Sequence, residues 1–156
     1  DLVITYCPFI NGETVCNLCA RLGSQLKSLK VFYPMPVLRP DALDSVFALC
    51  PNLKSLSVSV DYISRHMFED MEPTYDAETN QYVGHGLEHL MLDSSGTLGQ
   101  SHKLEPMDIS LAILDENLPH LSKVQISMKL GWNPSSGDML ELGEILEDKE
   151  GGLWLV

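Results

Sequence analysis

Leu53-Lys54-Ser55-Leu56-Ser57-Val58 sets apolar residues at the first, fourth and sixth positions of a short phrase, and its second half recurs along the chain. The recurrences read Leu2-Val3-Ile4, Leu29-Lys30-Val31, Leu56-Ser57-Val58, Leu90-Met91-Leu92, Val124-Gln125-Ile126 and Leu153-Trp154-Leu155. Four carry a further leucine three positions upstream, at Leu26, Leu53, Leu87 and Leu121. Successive units lie 27, 27, 34, 34 and 29 residues apart. Self-similarity at such a period predicts a repeat solenoid, because each unit can bury its apolar side chains only by stacking on its neighbours. A chain of this kind is expected to be a binding surface first.

Between the phrases the apolar spacing turns helical. Thr14 to Leu22 aligns Val15, Leu18, Cys19 and Leu22 at i, i+3, i+4, i+7, and Gly23 reads as a C-cap. Pro40 to Leu49 suggests a second helix, opened by Pro40, striped by Leu43, Val46, Phe47 and Cys50, and ended by Pro51. Pro106 to Leu118 and Asp138 to Leu146 repeat the scheme. The predicted fold is therefore an α/β solenoid over 1–156: curved, right-handed, of about five to six repeats, with parallel strands on the concave face and helices on the convex face. A doubly wound sheet is the rival, disfavoured because no glycine-rich turn leads from a strand into a helix.

Of 156 residues, 44% are hydrophobic, which suits a chain with a core, and no run of about 18 apolar residues could cross a membrane. The chain opens and stops on a strand phrase without polar capping units, and is expected to be a piece of a longer protein. Residues 1–60 carry five Lys or Arg against four Asp or Glu, and residues 61–156 carry five against eighteen, within a net charge of −12. So acidic a second half repels phosphate, and nucleic acid is not expected as a partner.

The first unit, Leu2-Val3-Ile4-Thr5-Tyr6-Cys7-Pro8-Phe9-Ile10-Asn11-Gly12, resembles the LxLxxCxxIxD/N phrase of cysteine-containing leucine-rich repeats. Ala48-Leu49-Cys50-Pro51-Asn52-Leu53-Lys54-Ser55-Leu56-Ser57-Val58 resembles the CPxLxxLxL junction between them. The likeness is strongest in residues 1–60; the units at Leu87 and Leu121 lack the cysteine and are longer. Such repeats are familiar from F-box proteins, fungal ones included, which serve as substrate receptors of SCF ubiquitin ligases. The resemblance implies a protein-interaction module that recognises a ligase substrate, with the adaptor-docking F-box outside these residues. A second reading is a scaffold solenoid in a larger assembly, such as a kinetochore F-box subunit, without ubiquitin transfer.

Cys7, Cys16, Cys19 and Cys50 fall where the repeat takes a small buried group, as expected of an intracellular protein. Cys16 and Cys19 form a CxxC in mid-helix, with no second pair at zinc-site spacing, so packing is expected of them and metal is not. His85 and His89 are four apart but bracket the start of a strand and read as exposed polar residues, and His66, His102 and His120 have no neighbours in sequence that would make a site. Neither a nucleophile elbow nor a phosphate loop appears, so no enzyme and no cofactor is expected. Paired acids such as Glu141 and Glu144 read as solvated helix surface.

The expected site is geometric. Side chains alternate along a strand, so residues between the leucines face away from the core. One such row reads Val3, Lys30, Ser57, Met91, Gln125, Trp154, and the next Thr5, Phe32, Ser59, Asp93, Ser127. Exposed Met and aromatic groups among polar ones suit a protein interface, although Val3 and Trp154 are expected to be covered by parts of a longer chain. Residues 62–86 are long for a connection and read as an acidic insertion loop, in which Phe68, Glu69, Asp70, Glu72, Tyr75 and Tyr82 would meet a basic partner. Residues 93–105, with Ser94, Ser95, Gly96, Gly99 and Ser101, read as a flexible connection.

Overall fold

A computed structural model describes residues 1–97 and 104–156; Gly99, Ser101 and His102 lie outside these. Each of the six phrases is a strand: β1 Leu2–Ile4, β2 Ser28–Val31, β3 Ser55–Ser59, then, past the hairpin of β4 Thr74–Asp76 and β5 Gln81–Val83, β6 His89–Asp93, β7 Lys123–Ile126 and β8 Gly152–Leu155. They form one open, parallel sheet in the order β1-β2-β3-β6-β7-β8. The fold is mixed α/β.

Register follows the phrase. Leu2, Leu29, Leu56, Leu90, Val124 and Leu153 are successive partners, as are Ile4, Val31, Val58, Leu92, Ile126 and Leu155. The four central members of the first column and those of the second from Val31 to Ile126 are essentially sealed from solvent. Leu26, Leu53, Leu87 and Leu121 are buried in the same core, one layer below. The backbone just before β3, β6 and β7 is tied in the same way: Lys54 and Ser55 N–H donate to Lys27 O, Glu88 and His89 N–H to Lys54 O, and Ser122 and Lys123 N–H to Glu88 O. Repetition of that bond pattern, together with the apolar columns, fixes the register, because a one-residue slip would turn every leucine outward.

The helices are α1 Gly12–Leu22, α2 Val46–Leu49, α3 His66–Glu69, α4 Pro106–Leu114 and α5 Gly137–Glu147. They pack in chain order, α1 on α2, α3 on α4 and α4 on α5. In α1 the Asn11 side chain accepts the Thr14 N–H, while Val15 and Cys19 are buried, Leu18 is half-buried and Leu22 is exposed, so the buried stripe is one residue shorter than its spacing suggests. Gly23 is needed for a different reason from the one expected. Its φ is −57°, in the helical region, but a Cβ there would stand 1.8 Å from the Leu49 carbonyl oxygen. In α4 the Glu105 side chain and Asp108 cap each other's backbone, and Arg65, at the N-cap of α3, reaches Asp108 at 3.6 Å.

Three expectations are corrected. The helix over Pro40–Leu49 shrinks to Val46–Leu49: Ala42 and Asp44 N–H close four-residue turns on Arg39 O and Asp41 O, and Leu43 N–H is drawn across to Tyr62 O, leaving nothing for an α-helical ladder. Residues 62–86 are not a bare loop but carry α3 and the β4–β5 hairpin. Ser94 is buried, and Ser95 is pinned by its N–H and hydroxyl to Asp61, so the start of the 93–105 connection is part of the fold.

Candidate functional site

Alternation along the strands turns one sheet face into the leucine core and leaves the other without a helix against it among the described residues. Lys30, Ser57, Met91, Gln125 and Trp154 are direct register partners on five neighbouring strands and line a depression of about 440 Å³. Ser57 forms buried floor, Met91 is half-buried, and Lys30, Gln125 and Trp154 are exposed. Trp154 is held down rather than free. Gly152, two residues before it on the same face, has no side chain, and a Cβ there would meet the indole at 3.1 Å.

A second line of the same depression lies two residues upstream: Ser55, His89 and Lys123, also register partners. Sequence reading missed these three because it counted alternation forward from the phrase and not backward. The forward row does not stay on the face. The chain leaves β2 and β7 at Val31 and Ile126, so Phe32 and Ser127 lie beyond the strands. Ser59 is fully buried with its hydroxyl on Asp61, and Ser127 is buried and caps a short 3-10 turn through Lys129 N–H. Phe32 is half-buried with its N–H on Ile4 O, and Asp93 is half-buried at the end of β6. None of Phe32, Ser59, Asp93 or Ser127 lines the depression. Of the expected site residues, Lys30, Ser57, Met91 and Gln125 are brought together.

The sign of charge on this face is opposite to that of the chain. Lys30 and Lys123 line the depression, no carboxylate does, and neither lysine makes an ion pair among the described residues. At the foot of the strands Lys54 is already paired with Glu88 at 2.8 Å, which holds that carboxyl below its usual range.

The acidic segment is divided by the fold. Phe68 is a core residue, 2% exposed and edge-on to Phe47, so it is withdrawn as an interface group. Glu69 is paired with Arg65 at 2.7 Å. Asp70 and Glu72 line a separate groove of about 730 Å³ between α2, α3 and the hairpin. Tyr75 and Tyr82 are exposed register partners of the hairpin with rings 5.4 Å apart, and Asn80 accepts the Tyr75 hydroxyl.

His85 corrects the surface reading of the histidines. It is half-buried beside Phe47, its Nε2 bonded to Cys50 O at 2.9 Å and its Nδ1 accepting Leu87 N–H. Cys7 donates to Thr5 O, Cys16 to Ala42 O, and Cys19 lies in the core beside Cys50, whose thiol contact and the surrounding burial push Cys19 above its ordinary pKa. All four cysteines are unbridged, and the described residues hold no cluster of three metal-ligating side chains. No described helix is long and apolar enough to cross a membrane.

Fold and face together define a class: an α/β protein whose open sheet surface offers a shallow, cationic and partly apolar depression. The chain is 39% identical over 154 residues to F-box protein YDR306C of Saccharomyces cerevisiae, a match covering 99% of this chain and 31% of the relative. It is 33% identical over 153 residues to protein pof5 of Schizosaccharomyces pombe, covering 97% and 41% respectively. The chain thus spans well under half of these curated relatives, and the matches relate it to an F-box protein through nearly its full length. No family model and no solved structure matches it.

Proposed function

We propose that this chain is the leucine-rich repeat region of an F-box protein, and that its open sheet face recognises the protein substrate of an SCF-type ubiquitin ligase. The observation that carries the reading is the alignment of Lys30, Ser57, Met91, Gln125 and Trp154 across five strands in one depression. Register repetition and the sealed apolar columns support the solenoid, and the likeness to F-box protein YDR306C supports the ligase setting. The adaptor is engaged through a segment outside these residues.

The test compares two variants of the full-length protein. Met91→Ala with Trp154→Ala removes the apolar groups of the face, and Glu141→Ala with Glu144→Ala alters exposed helix positions. The face variant is expected to lose its captured partner while retaining the ligase adaptor, because central interface anchors contribute about 2 kcal/mol or more each. Loss of the partner by the helix variant alone would move the binding surface to the helices.

A further inference from the structure

Building on the open-face reading, we propose that the occupant is an extended acidic segment of the partner, with carboxylates four positions apart and an apolar side chain between them. Among the described residues Lys30 and Lys123 make no ion pair and line one depression in a chain of net charge −12, whereas Lys54 and Arg65 elsewhere are satisfied by Glu88 and Glu69. Charge complementarity therefore selects an anionic occupant for this face and disfavours a cationic one.

Spacing selects its form. Lys30 on β2 and Lys123 on β7 are separated by β3 and β6. That is three strand spacings, about 14 Å, and since Lys123 lies two residues upstream of Gln125 in the row of Lys30, an offset of about 7 Å along the strands brings the separation to about 16 Å. An extended chain crossing the strands obliquely covers roughly 13 Å in four residues, its side chains i, i+2 and i+4 all point the same way, and the two flexible lysine stems close the remaining few ångströms. Carboxylates at i and i+4 then meet the two lysines, and the residue at i+2 descends between β3 and β6, beside Met91. Trp154, held against Gly152, walls the far end.

The probe is a labelled peptide with glutamates four apart and a phenylalanine midway, titrated into the full-length protein at low and high salt. Binding is expected to weaken with salt, and Lys30→Glu and Lys123→Glu should each reduce affinity about tenfold, since reversal turns an attraction into a repulsion. The doubly reversed protein should in turn bind a peptide carrying lysines at the two positions, a rescue that a merely structural effect would not produce. Peptide binding indifferent to salt and to both reversals, absence of binding, or a single-stranded oligonucleotide that displaces the peptide at lower concentration would overturn the proposal. If Met91→Ala and Trp154→Ala abolish partner capture while the lysine reversals do not, the open-face reading survives and the acidic occupant falls; if neither pair alters capture, both fall.

Discussion

Tyr62 and His85 each complete a backbone group that the fold would otherwise leave bare. The Tyr62 hydroxyl accepts Met35 N–H at 2.6 Å inside the core, with only 4% of the residue exposed. Tyr62→Phe keeps the ring but orphans that N–H, so a loss of about 1–3 kcal/mol is expected in denaturant melts. His85 spans Cys50 O and Leu87 N–H with one nitrogen each, which requires the neutral ring with its proton on Nε2. Burial lowers its pKa, a trend opposed by the Cys50 carbonyl and aided by Lys54. The folded ring therefore resists a proton that the unfolded chain accepts. The stability it contributes is full above the unfolded pKa of about 6.5 and falls as pH drops through that value toward the lower folded one. Urea midpoints of the parent should fall over this window more steeply than those of His85→Gln, and equal slopes would contradict the assignment. Neither role was legible in the sequence, because Met35 lies 27 residues from Tyr62 and Cys50 lies 35 from His85.

Strands were the most legible elements. Leu56 and Leu90 sit at the centre of a column whose members are successive register partners, each 1% exposed. Leu56→Ala and Leu90→Ala should each cost about 2–5 kcal/mol in chemical denaturation, from lost burial and the cavity left behind. Melts matching the parent would show the columns to be misassigned. Helices were legible where period and cap agreed, as in α1 and α5; α4 ends at Leu114, short of the expected Leu118, because Glu116 and Leu118 N–H turn back to Ile113 O and Ala112 O, and the reading failed over Pro40–Ser45, where a backbone bond from Leu43 to Tyr62 prevails over an apolar spacing that was helical. The β4–β5 hairpin left almost no trace in the pattern. Tyr75, Tyr82 and Val83 are all exposed, so no buried face imposes a period of two.

At the scale of the molecule, the phrase that sets the apolar columns also sets what faces solvent, so half of the candidate site follows from the same residues as the core. Lys30, Ser57, Met91 and Gln125 could be placed from alternation alone; Ser55, His89 and Lys123 needed the observed strand starts, and Ser59 and Ser127 were lost to turns that begin where the strands stop. The cationic character of the face was hidden by a net charge of −12, which averages over surfaces that the fold keeps apart. The central claim is that partners meet the open sheet face, and site-directed photo-cross-linking tests it most directly. A benzophenone amino acid is placed in the full-length protein at Gln125, exposed in the depression, or at Glu141, exposed on α5. Illumination is expected to trap the partner at Gln125 and not at Glu141, and trapping at Glu141 with none at Gln125 would place the contact on the helices instead.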